Sequence, residues 1–212
     1  TEAVLKESMA FYTAHGLKDL LKELPREIIL SASSEARLRE ALREGLFDRA
    51  MIFASAETQK TQIDTLLAEF ADKPIPDLPD TEQYQACYMY QPEVTKRAVS
   101  RNRPKRKAYL LLYCSGPLPG ETKGKTPSEL DKLFKRKKWN GLTLEEYIQI
   151  QAREAETNKD HRFDAYSADA EKSQRTWLLD SRVPGGVVHA YWDPGGRQVE
   201  VSWFDPMISN SK

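Results

Sequence analysis

Two cysteines are all that 212 residues carry, Cys87 in "YQACYMY" and Cys114 in "LLLYCSG", and neither belongs to a CxxC pair. That excludes a disulfide framework and a thiolate zinc site as the means of holding the chain together. A chain of this length buries a core without such staples. Both cysteines fall in predicted strands and read as reduced, buried thiols of an intracellular protein. Long apolar runs are missing too. The longest, "YLLLYC" and "AMIFA", fall far short of the roughly 20 residues that cross a bilayer, and the mean hydropathy is -0.65. The first residues, "TEAVLKESMAFY", place acids and lysines at helical spacing where a secretory signal would show an unbroken apolar segment. The expected location is cytoplasmic, with no membrane contact.

What is present suggests a mixed α and β chain. "EAVLKESMAFYTAHG" puts Leu5, Met9 and Tyr12 on one helical face and stops at Gly16, a residue suited to a left-handed helix end. A short helix "LKDLLKEL" closes at Pro25, and "EIIL" follows as a strand candidate. Ser34 is placed to cap a helix whose Leu38, Ala41 and Leu42 share a face, with Gly45 beyond it. "RAMIFAS" reads as a buried strand, and Ile63, Leu66, Leu67 and Phe70 mark another core-facing helix. The order suggests a short βαβ unit inside a mainly helical part spanning 1–73. Eight of the twelve prolines fall between 74 and 127, which makes "KPIPDLPD" a stiff connector into a second part, 74–212. There "YQACYMY" and "AYLLLYC" read as strands, helices are expected at about 127–139 and 143–156, and a helix is expected near "EKSQRTWLLD". A hairpin, "VVHAYW-DPGG-RQVEVSWF", closes the chain. The fold class expected is α/β or α+β, one compact unit with a central mixed sheet, covering helices and a C-terminal antiparallel hairpin.

The stretch "CSGPLPGETKGKTPSEL" follows an apolar strand and nearly spells a phosphate-binding loop. Gly124, Lys125 and Thr126 supply the second half of G-x-x-x-x-G-K-[ST], but the first glycine would have to be residue 119, which is Pro119. Gly120 leaves too short a wrap. Thr126, Pro127 and Glu129 instead compose a capping box with proline at the first helical position. Thr143 and Glu146 repeat the device, so the two boxes define a helix pair that packs on a sheet. Leu130, Leu133 and Phe134 form the first apolar face, and Leu144, Tyr147 and Ile148 the second. No nucleotide cofactor is expected.

Net charge is zero, with 32 basic and 32 acidic residues, yet it is unevenly spread. Between Lys96 and Lys138 there are 14 basic residues and 3 acidic ones, a balance of 14 − 3 = +11, so the remainder carries −11. Part of this follows helix-dipole preference, because "SELDKLFKRKKW" has its acids in the first turn and its bases in the last. The separation exceeds what that preference calls for. Lys96, Arg97, Arg101, Arg103, Lys105, Arg106 and Lys107, with Lys135, Arg136, Lys137, Lys138 and Trp139, are therefore the candidate docking residues. An acidic protein is the expected partner and nucleic acid a possible one, although no nucleic-acid recognition motif is present and the overall pI is only 6.8.

Three histidines bound the catalytic options. His15 ends the first helix, where a cation suits the dipole. His161 has Asp160, Asp164 and Asp169 around it, but no second histidine nearby completes a metal site. His189 is fixed by the hairpin: with "DPGG" as the loop, Trp192 pairs with Arg197, Ala190 with Val199 and Val188 with Val201. That sets His189 opposite Glu200 on a polar face, beside Tyr191 and Gln198. Such a pair can serve as a general base, yet no nucleophile or oxyanion site accompanies it. The functional expectation is a non-enzymatic binding or adaptor module without cofactor or metal. The alternative is a hydrolase or nuclease using His189 with Glu200, or His161 with its aspartates.

Overall fold

A computed structural model describes residues 2–45, 47–61, 98–115, 121–122, 124–157, 164, 175–193 and 198–204. The chain divides into two units. One joins Thr1–Ile63 to Arg103–Pro119, and the other joins Asp64–Asn102 to Gly120–Lys212. The fold is mixed α and β, with helices packed on a sheet and a C-terminal antiparallel strand pair.

In the first unit, helix α1 (Glu2–Ala14) buries Leu5, Ser8, Phe11 and Tyr12. These positions recur at three- and four-residue intervals and make one stripe. Met9, expected on that face, is instead exposed. Gly16, at φ 65, turns the chain into α2 (Lys18–Glu23), and Leu17 and Leu20 are buried there. Strand β1 (Arg49–Phe53) pairs antiparallel with a strand from much later in the chain, Tyr109–Tyr113, in the register Met51 to Leu111. The other side of β1 meets α1. The Ile52 amide donates to Ser8 Oγ at 3.1 Å, and Tyr12 Oη donates to the Ile52 carbonyl at 3.0 Å. Two helical side chains thus satisfy backbone groups that would otherwise be left without partners.

The βαβ expectation does not hold here. Residues 27–30 are irregular, and β1 takes an antiparallel partner. Pro25 and the isolated four-residue run supply neither the length nor the neighbour that a strand needs. Helix α3 (Ala32–Glu44) begins three residues earlier than expected. Ser31 is its cap, accepting from the Ser34 amide, and Gly45 closes it at φ 65.

The second unit is a four-stranded antiparallel sheet in the order β2-β4-β5-β6, where β2 is Val99–Ser100, β4 Thr176–Val183, β5 Gly186–Asp193 and β6 Gln198–Phe204. Strand β3, Tyr109–Tyr113, belongs to the first unit. Where a helix was expected near "EKSQRTWLLD", residues from Thr176 onward are strand. Helix and sheet both place apolar residues at Trp177, Leu178 and Leu179, and a strand covered on both faces reads as such an unbroken run. Val183 pairs with Gly186 across Pro184-Gly185, with Gly185 at φ 82, as a type II turn requires.

Helices α4 (Pro127–Lys137) and α5 (Leu144–Thr157) take opposite faces of this sheet. Leu130, Leu133 and the half-buried Phe134 pack on Trp177, Leu179 and Val187. On the other face, Tyr147 and Gln151 reach Asp164, which also accepts from Thr176, the partner of Ala190 in the ladder. Both capping boxes form: Glu129 N to Thr126 Oγ1 is 3.2 Å with Thr126 N to Glu129 Oε2 at 2.7 Å, and the Thr143–Glu146 pair matches it at 3.2 and 2.9 Å. The short connection between the helices meets β4 where its register with β5 shifts, between Leu178 and Arg182. There the Asp180 amide donates to the Leu142 carbonyl at 3.2 Å, so the bulge supplies the group that anchors the connection. Gly141 fits because a Cβ would come within 2.4 Å of Leu179 Cβ.

Candidate functional site

The candidate docking residues fall in both units. In the first unit, Arg103, Lys105, Arg106 and Lys107 precede β3. Their loop is tethered by the Ala56 and Glu57 amides, which donate to the Pro104 and Lys105 carbonyls at 3.1 and 3.4 Å. Arg103 lies over the Tyr109 ring, 5.8 Å from its centre, and Arg106 is 3.8 Å from Glu57 in an exposed pair. Lys105 and Lys107 are exposed, and among the described residues no hydrogen bond or ion pair engages either side chain.

In the second unit, Arg101 is committed to the fold. Its guanidinium donates to the Leu179 carbonyl at 3.1 Å and its amide to the Asp180 carbonyl at 2.8 Å. Lys135, Arg136 and Lys137 occupy the last turn of α4, where the helix dipole favours cations. Lys138 follows at φ 56, a left-handed conformation in which glycine is usual. The Lys138 and Trp139 amides donate to the Lys135 and Phe134 carbonyls, which closes the helix. Trp139 sets its ring edgewise to Phe134 at 5.6 Å, and Lys137 Nζ lies 5.4 Å over it and 3.5 Å from Glu121. Lys135 and Arg136 are exposed without hydrogen bond or ion pair among the described residues. Lys96 and Arg97 lie outside the described residues.

The hairpin register differs from expectation by two residues. Trp192 pairs with Val199, Ala190 with Val201 and His189 with Ser202, while Glu200 faces Tyr191. A two-residue step preserves both faces, so the apolar set is as expected while the His189–Glu200 pair is displaced to a diagonal. Glu200 accepts a hydrogen bond from Tyr191 Oη instead. Nor is the histidine on a wet face, since it is only 2% exposed. His189 stacks on Phe204 at 4.8 Å and meets Trp177 edge-on at 5.4 Å. Neither ring nitrogen, nor the Trp177 indole nitrogen, has a hydrogen-bond partner among the described residues. Burial pulls the His189 pKa down to about 4, and the Arg175 charge acts in the same direction. The imidazole is therefore a neutral, aromatic part of the core at pH 7.

Asp164 is the polar centre that the sequence hid. It was visible only as one of several aspartates in a polar stretch, yet the carboxylate is buried among four donors. Tyr147 Oη and Gln151 Nε2 reach Oδ1 at 2.7 and 2.5 Å, Thr176 Oγ1 reaches Oδ2 at 2.5 Å, and the Trp192 amide reaches Oδ1 at 3.2 Å. Burial raises its pKa to about 7 and outweighs the lowering effect of these hydrogen bonds. Gln151 Oε1 has no hydrogen-bond partner among the described residues. The group joins α5, β4 and β5. His161, Asp160 and Asp169 lie outside the described residues, as do Cys87 and residues 116–120 of the near phosphate loop. Cys114 is half-buried and forms no disulfide. Among the described residues no group of three histidine, cysteine or acidic side chains is placed to hold a metal ion, and no helix is long and apolar enough to cross a membrane.

Compared with known proteins, the chain matches no family model, no curated protein and no solved structure.

Proposed function

We propose that the chain is a non-enzymatic binding or adaptor module that docks an acidic protein partner through its basic middle segment, in the cytoplasm. The observation that carries this reading is the exposure of Lys105, Lys107, Lys135 and Arg136, whose side chains make no hydrogen bond or ion pair among the described residues, inside a window of +11. Unpaired exposed cations raise the rate and selectivity of encounter with an anionic surface. The hydrolase alternative has less support. A general base must reach a substrate proton, whereas His189 is buried under aromatic rings and Glu200 is engaged by Tyr191.

The test is capture of partners on the full chain, with and without nuclease treatment, followed by affinity measurements across salt concentration. Binding of an acidic protein that survives nuclease and weakens as salt rises is expected. Changing Arg103, Lys105, Arg106 and Lys107 to serine, or Lys135 and Arg136 to serine, should weaken it while the fold persists. Salt-independent binding, or equal affinity of both charge variants, overturns the reading. Capture lost on nuclease treatment, with a log-log salt slope of roughly −0.7 to −0.9 per phosphate, would assign nucleic acid as the partner instead.

A further inference from the structure

We propose that Asn140 is a site of spontaneous modification, where the side-chain amide is lost through attack by the Gly141 backbone nitrogen and the connection between α4 and α5 is rebuilt in part as isoaspartate. Of the four asparagines in the chain, at 102, 140, 158 and 210, only Asn140 is followed by glycine. Ring closure onto an asparagine side chain is hindered chiefly by the side chain of the next residue, and glycine has none. Asn140 also lies between the two helices and outside both, so no helical hydrogen bond fixes its backbone. It is exposed, and among the described residues no hydrogen bond engages it. Asn102 shows the opposite case. Its amide is spent on Asp180 Oδ1 at 2.7 Å, and an arginine follows it.

The chemistry needs only water. The Gly141 nitrogen gives up its proton and bonds to Asn140 Cγ, the Cγ–Nδ2 bond breaks, and ammonia leaves with that proton. Water then opens the cyclic imide at either carbonyl. Breaking the bond to Cγ restores the normal backbone and leaves aspartate. Breaking the bond to the α-carbonyl leaves Gly141 joined through Cγ, and the former carbonyl carbon becomes the free carboxylate. That isoaspartyl link lengthens the backbone by a C–C bond, about 1.5 Å. The connection has no slack for it. On one side the Trp139 amide donates to the Phe134 carbonyl at 2.9 Å and its ring lies against Phe134. On the other, Gly141 sits so close to β4 that a Cβ would come within 2.4 Å of Leu179 Cβ, and the Asp180 amide holds the Leu142 carbonyl. Asn140 is the loose residue between two anchored ones, so aspartate is accommodated there and isoaspartate displaces a neighbour.

The full chain, kept folded at physiological temperature and mildly alkaline pH, should be sampled over days by peptide mass mapping. The peptide containing Asn140 should show the mass gain of an amide turned carboxyl ahead of those containing Asn102, Asn158 and Asn210, with isoaspartate and aspartate forms separated by chromatography. Asn140→Gln should keep its side-chain amide over the same period. In urea unfolding, Asn140→Asp should retain the parent midpoint, while the isoaspartyl fraction should show a lower one. If the folded chain keeps the Asn140 amide while the urea-unfolded chain loses it, or loses it no sooner than that of Asn102, the proposal is overturned. An isoaspartyl fraction as stable as Asn140→Asp overturns the anchoring of Trp139 and Gly141 as the source of strain.

Discussion

Asp164 and His189 lie on opposite faces of the same sheet, and their protonation should pull stability in opposite directions as pH changes. Asp164 has a folded pKa of about 7 against an ordinary 3.8. The folded state therefore holds its proton more tightly than the unfolded chain, and the associated stability is full below about pH 4 and lost as pH rises towards 7. Roughly three pKa units correspond to about 4 kcal/mol. His189 behaves in the reverse sense, with a folded pKa of about 4 against 6.5. Its contribution is full above pH 6.5 and is lost as pH falls towards 4, a difference of about 3 kcal/mol. In the parent these two slopes nearly cancel between about pH 4 and pH 6.5. Removing one should reveal the other. Urea unfolding of Asp164→Asn should give a midpoint that rises with pH across this range, relative to the parent. His189→Phe, which keeps a ring against Phe204, should give one that falls as pH rises. Taking each variant relative to the parent removes the contribution of every other carboxylate. If Asp164→Asn tracked the parent profile at every pH, the burial-driven shift at Asp164 would be refuted.

Thr126→Ala should lower stability by about 1 kcal/mol, the usual cost of a lost threonine cap, measured by denaturant unfolding. Thr143→Ala should cost more, since Thr143 and Glu146 are both buried and their groups cannot turn to water instead. Gly141→Ala should destabilise by about 2 kcal/mol or more, because its methyl would meet Leu179 Cβ at 2.4 Å and the Asp180 backbone beyond it. Lys138→Gly should raise the unfolding midpoint, by about 0.5–1 kcal/mol of relieved left-handed strain, while weakening partner binding. A variant that lost stability would show that Lys138 is held there by its contacts.

Local signals survived the passage from sequence to structure better than distant ones. The two capping boxes are contained within four residues each, so nothing elsewhere in the chain alters them. The hairpin's apolar face was legible for a related reason. Alternation decides the face, and sliding the loop by one position at each end leaves alternation intact. The register itself was not legible, because "DPGG" and the residues 194–197 make equally suitable four-residue loops. Pairing of β1 with β3 joins residues about sixty positions apart, and no local pattern records a distant partner. Asp164 was read only as one of several acids in a polar stretch. Its burial depends on satisfaction by Tyr147, Gln151, Thr176 and the Trp192 amide, an arrangement only the assembled unit contains. The basic window was plain in the sequence. That Arg101 is spent on the Leu179 carbonyl while Lys105 stands free was not.

Because α4 and α5 lie on opposite faces of one sheet and are joined by so few residues, neither can detach alone. Their connection is fastened to the bulge of β4 through the Asp180 amide and closed over it by Gly141. Lifting α4 drags on that fastening, and freeing α5 uncovers the carboxylate beneath it. The two helices and β4 thus belong to a single cooperative opening unit, whose amides would exchange with deuterium at one shared free energy. By contrast α3, which has nothing buried to release, would exchange close to the rate of an unprotected chain wherever it stands alone.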